Sequence, residues 1–146
     1  MNGVELSDET YFRLLSIRTS MRLFDRWSEQ QAKAAGLTTA QHQLLLAIRG
    51  HRDLKGPTIG EVADYLLLRH HSVVGLVDRA ETLGLITRSR DDDDRRVVRL
   101  ALTSEGAHRL EELSKLHVEQ LRRLGTNFSD ISAGLDPVQN LHGLLK

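Results

Sequence analysis

Basic and small polar residues cluster in two short stretches of the 146-residue sequence. The first reads RHHSVVG over residues 69–75, and the second reads DDDDRR over residues 91–96. Arginine, histidine and serine side chains donate hydrogen bonds to phosphate oxygens and base edges, and arginines at a loop tip can enter a narrow minor groove. The chemistry that these residue types favour is recognition of double-stranded DNA.

We predict eight DNA-contacting residues in these stretches. The first stretch would begin a helix that presents short, polar or basic side chains to the major groove. The second would form a loop whose arginines reach the minor groove. The predicted contacts are Arg69, His70, His71, Ser72, Val74 and Gly75 on the helix, with Arg95 and Arg96 on the loop.

Two short helices are expected to position the first stretch. Thr58 and Glu61 form a T-x-x-E capping box directly after Pro57, which specifies a helix start locally. Apolar residues then recur at helical spacing, and Gly84 supplies the left-handed residue that commonly ends a helix. The expected buried positions are Ile59, Val62, Ala63 and Leu66 in the first helix, and Val73, Leu76, Val77, Ala80 and Leu83 in the second.

A two-stranded hairpin is expected to position the second stretch. Residues 86–90 and 96–102 are β-prone, and the second run alternates like a half-buried strand, with Val98, Leu100 and Leu102 on one face. The aspartate-rich run between them must form the turn. Two helices followed by such a hairpin make a winged helix-turn-helix, with the helix in one groove and the hairpin, or wing, in the next.

The four consecutive aspartates, Asp91–Asp94, admit two functional interpretations. Their carboxylates could restrain the neighbouring arginines until DNA competes for them, or could repel phosphate and weaken the contact. A calcium loop is disfavoured because Arg96 stands where an EF-hand requires glycine and Leu102 where it requires glutamate. Adjacent His70 and His71 point to different sides of a helix and lack a second ligand cluster, so no metal site is predicted.

The segments on either side are expected to pair two chains. A helix over residues 7–36 carries a broad apolar stripe, and a long helix after residue 103 carries a leucine stripe. Such wide apolar faces need more cover than one small domain offers, which predicts a homodimer. Residues 1–36 and 104–146 are therefore assigned to dimerisation, and residues 37–103 to DNA binding.

Two further helices complete the expected chain. Thr38 opens another capping box with Gln41, and the apolar run that follows marks a buried helix. Asp136 followed by Pro137 would open a short last helix. The predicted fold class is α+β and mostly helical.

The order of these segments resembles the MarR family of transcriptional regulators. Residues 72–88, SVVGLVDRAETLGLITR, resemble its recognition helix and following strand, and residues 94–106, DRRVVRLALTSEG, resemble its wing signature. Residues 37–48 resemble the family's second helix, and residues 135–146 its last one. The resemblance therefore spans nearly the whole chain.

The resemblance implies a homodimeric DNA-binding regulator, usually a repressor, often relieved by a small aromatic or phenolic ligand. It also implies that Arg96 reaches DNA and that Asp94 helps to hold it. Two departures stand out: the run of four aspartates, where the family usually shows one or two acids, and Ala80, where it usually has leucine.

Composition and motifs narrow the function classes. The absence of cysteine excludes disulfides, thiolate metal sites and cysteine-based redox sensing. No hydrolase, zinc-protease or nucleotide-binding motif occurs, so no enzyme, catalytic residue or cofactor is expected. The scattered histidines His42, His51 and His117 are expected at the surface or an interface. Apolar runs are too short for a membrane span, so a cytoplasmic protein is expected.

Net charge argues for a second possibility. The chain carries 20 basic and 20 acidic residues, and the segment from Thr58 to Thr103 has seven arginines against eight acids. DNA binding must then depend on where the arginines point rather than on bulk charge. A winged helix that serves only as a protein-interaction module stays open as the alternative.

Overall fold

The computed structural model describes residue 3 and residues 5–132. Its elements, in chain order, are α1 (Asp8–Ala34), α2 (Thr39–Gly50), α3 (Ile59–Leu66), α4 (His70–Thr82), β1 (Ile86–Arg90), β2 (Val98–Leu102) and α5 (Ser104–Ser132). The α+β, mostly helical class is confirmed. The last helix expected over residues 135–146 lies outside the described residues. Within the described part, no helix combines the length and apolarity needed to cross a bilayer.

The chain divides into two compact units. One consists of residues 27–117, which include α2, α3, α4 and both strands. The other consists of the flanking residues, up to Arg26 and from Val118 onward. All the residues expected to contact DNA lie in the 27–117 unit.

Helix starts are fixed by the capping residues that the sequence indicates. Thr38 Oγ1 and Thr58 Oγ1 each accept the N–H of the residue three positions on, both at 3.1 Å. The Thr38 N–H donates to Gln41 Oε1 at 3.0 Å, and the Thr58 N–H donates to Glu61 Oε1 at 3.2 Å. Both capping boxes are therefore confirmed. Thr103 Oγ1 accepts a similar bond at 3.0 Å, which makes it the cap of α5.

Aliphatic side chains from every element of the 27–117 unit form its core. Fully buried members are Leu44, Leu45, Val62, Val73, Val77, Leu85, Ile86 and Leu100. Leu83 was expected among them, and that prediction is wrong, since its side chain is 56% exposed. Helix α4 ends at Thr82, and left-handed Gly84 (φ 73°) turns the chain so that Leu85 enters the core instead.

Strands β1 and β2 pair antiparallel, with Ile86 opposite Leu102 and Arg90 opposite Val98. The second strand begins at Val98, two residues later than predicted. The reason is local, because the Val97 N–H donates to the Asp94 carbonyl at 2.9 Å and keeps the preceding residues in the turn. Arg95 and Arg96 therefore belong to the wing tip, not to the strand.

The connection between α2 and α3 lies against β2. The Leu100 N–H donates to the Pro57 carbonyl at 3.0 Å, and Thr58 forms an isolated bridge with Arg99. Gly56 has φ 84°, and a Cβ there would overlap the Leu100 carbonyl oxygen. The backbone of this connection thus extends the two-stranded sheet on the side that faces α3.

Candidate nucleic-acid interface

The predicted helix contacts lie at the N-terminal end of α4. Arg69 is the N-cap residue, and His70, His71 and Ser72 form the first turn, all with exposed side chains. Unlike α2 and α3, this helix starts without a side-chain cap. The N–H groups of His70 and His71 and the positive end of the helix dipole are therefore available to a phosphate, whereas the Ser72 N–H donates to the Arg69 carbonyl at 3.0 Å.

Val74 and Gly75 follow one turn further along α4 and are half-buried. His71, Val74 and Gly75 share a helix face, since positions three and four apart lie one above another. A Cβ added at Gly75 would come within 3.3 Å of Arg79 Nη1, so a larger residue would displace that arginine. Because Gly75 has no side chain, this face of α4 can approach a base edge closely.

Arg96 projects from the wing tip and is held by Asp94. Its side chain is 91% exposed, and its Nε and Nη2 donate to Asp94 Oδ1 and Oδ2 at 3.0 and 3.1 Å. The Arg96 N–H also donates to Asp94 Oδ1, at 3.1 Å. These bonds hold the pKa of the Asp94 carboxyl below its usual range, so the pair stays charged. The arginine points into solvent with its direction fixed.

Three of the four aspartates at residues 91–94 each pair with a different cation. Asp91 accepts from Arg99 Nη2 at 3.2 Å, Asp93 accepts from Lys55 Nζ at 3.1 Å, and Asp94 holds Arg96. Asp92 is exposed and, within the described part of the chain, has no ion pair. Three of the four carboxylates thus neutralise cations of the protein itself.

Arg99 was missed as a functional candidate. The strand pattern placed it on the outer face, yet its side chain is only 18% exposed. Its Nη1 lies 3.2 Å from the Gly56 carbonyl and 3.4 Å from Glu61 Oε1, and its Nη2 contacts Asp91. No local pattern could reveal this, since Gly56 and Glu61 approach only through tertiary contact. The excess of acids over arginines was the one available hint.

Ion pairs within the protein determine which charged side chains of residues 58–103 are left without a partner. The acids that form ion pairs are Glu61, Asp78, Glu81, Asp91, Asp93 and Asp94. Among the described residues of the 58–103 segment, the arginines without a carboxylate at ion-pair distance are Arg69, Arg79, Arg90 and Arg95. Against them stand only Asp64 and Asp92. The unpaired residues are therefore mainly positive, whereas the six paired acids share only four cations, Lys55, Arg88, Arg96 and Arg99, so ion pairing leaves the net charge of the region near zero.

A histidine cluster lies elsewhere in the same unit. His42 was expected at the surface or an interface, but it is 5% exposed and lies inside the 27–117 unit, which corrects that prediction. The His117 ring lies 4.7 Å from the His42 ring and 4.8 Å from the Trp27 ring, centroid to centroid. His117 Nδ1 donates to the Leu113 carbonyl at 2.7 Å, which leaves Nε2 to accept from Ser28 Oγ, also at 2.7 Å.

Burial, and secondarily the neighbouring His117, lower the pKa of His42, so its neutral form is favoured. Across residues 3 and 5–132, no group of three His, Cys, Asp or Glu side chains is arranged to hold a metal ion. The cluster is consequently best described as three packed rings, of which His42 is buried and Trp27 and His117 are half-buried.

An apolar groove lies between α2 and the end of α3. Its volume is about 480 Å³, and Leu46, Ala47, Tyr65 and Leu67 contribute to its walls. Leu67 is 90% exposed and adopts the left-handed conformation, with φ 54° and ψ 41°. A leucine with this backbone at the turn of the motif is strained.

Comparisons with known proteins agree on one family. The model described as MarR family matches residues 35–97. The chain is 29% identical over 143 residues to the transcriptional activatory protein BadR of Rhodopseudomonas palustris, covering 98% of this chain and 78% of that relative. It is 36% identical over 78 residues to the HTH-type transcriptional repressor MdtR of Bacillus subtilis, covering 53% of this chain and about half, 48%, of that relative.

Solved structures share the fold. A mutant of S. aureus MepR bound to an oligodeoxyribonucleotide superposes with a TM-score of 0.62, at 22% identity, covering 84% of each chain. The winged helix-turn-helix expected from the sequence is thus found in the described residues and in this neighbour. Residues 35–97 of the chain are thus similar to the MarR family of transcriptional regulators, and the fold of the described residues is that of its winged helix-turn-helix members.

Proposed function

We propose that the chain acts as a homodimer that binds a pseudo-palindromic DNA site and thereby regulates transcription. Helix α4 enters the major groove with Arg69, His70, His71, Ser72, Val74 and Gly75, and the wing brings Arg95 and Arg96 to the adjacent minor groove. The observation that carries this proposal is the Arg96 guanidinium, held out in solvent by Asp94 on the wing tip. A narrow minor groove attracts such a group electrostatically.

Exposed apolar residues in the flanking unit support the homodimer. Phe12, Leu15 and Leu23 on α1 are each at least 60% exposed, which is unusual for such large side chains. A second copy of the chain is the cover we propose, with residues 1–36 and 104–146 forming the interface and residues 37–103 binding DNA. Two-fold symmetry would place the recognition helices about 34 Å apart.

The sign of regulation is proposed to be repression, relieved by a small aromatic ligand. MdtR is named a repressor, whereas BadR, which matches this chain over most of its length, is named an activatory protein. Transcription in vitro from a promoter that the site overlaps should fall as protein is added. Activation there would reverse the proposed sign. Calorimetric titration with aromatic acids that gave no heat would remove the ligand from the proposal.

Binding of labelled palindromic and random duplexes across salt concentrations tests the DNA proposal. We expect a preference for one sequence and a steep fall of affinity with salt, because phosphate contacts release counterions. Arg96→Ala should weaken binding about tenfold, the loss of one side-chain contact worth roughly 1–3 kcal/mol. A protein-interaction module would show neither sequence preference nor a salt slope, and that result would favour the alternative function. A DNA-binding regulator of this kind would work in the cytoplasm.

A further inference from the structure

Arg99 joins three separate segments of the winged motif. Its guanidinium contacts the Gly56 carbonyl in the α2–α3 connection, Glu61 in the first turn of α3, and Asp91 at the end of β1. Glu61 Oε1 also accepts the Thr58 N–H of the capping box, so Arg99 is tied to the start of α3. One rigid, planar cation therefore links the wing to the helix that packs against α4.

Asp91 is the partner on the wing side. Its side chain is 9% exposed, although it is part of a turn, and it accepts the Asp93 N–H at 3.3 Å as well as the Arg99 bond. These two bonds, the backbone one first, lower the pKa of Asp91. The carboxylate is thus charged and directed inward, away from the surface on which Arg96 projects.

The position of Arg99 along the hairpin matters mechanically. It pairs with Ser89, close to the tip, and it directly precedes Leu100, which is fully buried and donates its N–H to the Pro57 carbonyl at 3.0 Å. The four residues from Val97 to Leu100 span roughly 13 Å, so a tilt of about 10° around Leu100 would displace the tip by roughly 2 Å. Such a displacement exceeds the tolerance of a hydrogen bond and would take Arg96 out of reach of a groove.

We propose that Arg99, together with Asp91, is a positioning residue that orients the wing for insertion of Arg96 into the minor groove. The inference rests on the proposed DNA binding and adds a residue that does not itself touch DNA. It also assigns opposite effects to neighbouring aspartates of the run. Asp91 aids binding by orienting the wing, whereas unpaired Asp92 opposes it by repelling phosphate.

The isosteric pair Asp91→Asn and Asp92→Asn tests this assignment. Each variant removes one negative charge from the same turn, so bulk electrostatics alone would strengthen DNA binding in both. Positioning predicts that Asp92→Asn binds more tightly, whereas Asp91→Asn binds about tenfold more weakly, close to the loss from Arg96→Ala. Tighter binding by Asp91→Asn would overturn the proposal.

A double-mutant cycle with Arg96→Ala separates positioning from general damage to the fold. Arg99→Met should weaken binding in the wild-type background and weaken it less when Arg96 is already absent, because only the Arg95 contact can then be lost by misplacing the wing. The control is Arg88→Met, since Arg88 lies on β1 of the same hairpin and pairs with Asp78 and Glu81 on α4. Its effect should be the same in both backgrounds. If Arg99→Met had the same effect on binding with and without Arg96, the proposal would be overturned.

Failure of the two proposals can be told apart. If the wild-type protein binds no duplex even at low salt, both DNA binding and wing positioning are wrong. If the wild-type protein binds and Arg96→Ala weakens it, while Asp91→Asn and Arg99→Met leave affinity unchanged, only the positioning role is wrong. Thermal unfolding of each variant shows whether it is folded, and Asp91→Asn serves as the test if Arg99→Met is not.

Discussion

Replacing Leu67 with glycine should stabilise this protein. Leu67 is the one non-glycine residue with positive φ in the part of the chain that the structure describes. The left-handed conformation costs an L-residue about 1–2 kcal/mol, whereas glycine adopts it without a steric penalty. A single substitution can therefore remove the backbone strain at Leu67.

The expected size of the effect follows from two opposing terms. Because the Leu67 side chain is 90% exposed, its removal forfeits little buried apolar area. Glycine gives the unfolded chain more freedom, which costs the folded state about 0.5–1 kcal/mol. The balance predicts that Leu67→Gly raises the free energy of unfolding by about 0.5–1 kcal/mol, and Tm by about 2–4 °C per kcal/mol.

Urea unfolding at one fixed protein concentration measures this change, because dimerisation would make apparent stability depend on concentration. Leu54→Gly is the matched control. Leu54 is fully exposed and also lies in a connection, but its φ is not positive, so glycine there should destabilise by about 0.5–1 kcal/mol. If both glycine variants lowered the free energy of unfolding by the same amount, the strain argument would be refuted.

Three other predictions concern stability. Gly56→Ala should destabilise by more than about 1–3 kcal/mol, because φ is 84° and the new Cβ overlaps the Leu100 carbonyl; an unchanged urea midpoint would contradict this. Thr58→Ala removes the α3 cap and should cost about 1 kcal/mol, whereas Thr58→Ser should cost much less. The lowered pKa of His42 means that the unfolded chain binds a proton first, so stability is lost as pH falls below 6.5, by at most about 1.4 kcal/mol per pH unit. His42→Gln should flatten the pH profile of unfolding, and an unaltered profile would exclude His42 as its source.

Features of the fold that depend on neighbours in sequence were predictable. Both capping boxes, the left-handed Gly84 and the first strand, residues 86–90, follow from local hydrogen bonding and periodicity, and the structure contains each of them. The contact between Asp94 and Arg96, which the family resemblance implied, joins two residues that are separated by one position. Each of these features forms between residues that are close in the sequence, so the sequence alone indicates it.

Features that arise from long-range packing were not predictable. Arg99 contacts Glu61 and Gly56 only because the α2–α3 connection lies beside β2. The rings of His42 and His117 pack together although the two residues are far apart in the sequence. Periodicity assigned Leu83 to the core because the pattern cannot show where Gly84 redirects the chain. The surroundings of Arg99 and His42 come from distant parts of the sequence, whereas the error at Leu83 is local, because helix α4 ends one residue before it.

Two of the ion pairs at the wing, Lys55–Asp93 and Arg99–Asp91, differ in their access to water. Lys55 and Asp93 have side chains that are 55% and 82% exposed, whereas Arg99 and Asp91 are largely enclosed. Dissolved electrolyte screens the outer pair far more strongly than the inner one, because the Debye length at physiological ionic strength is about 8 Å. Added salt would therefore weaken the Lys55–Asp93 pair more than the Arg99–Asp91 pair, which leaves the inner pair as the one that keeps the hairpin oriented at high ionic strength.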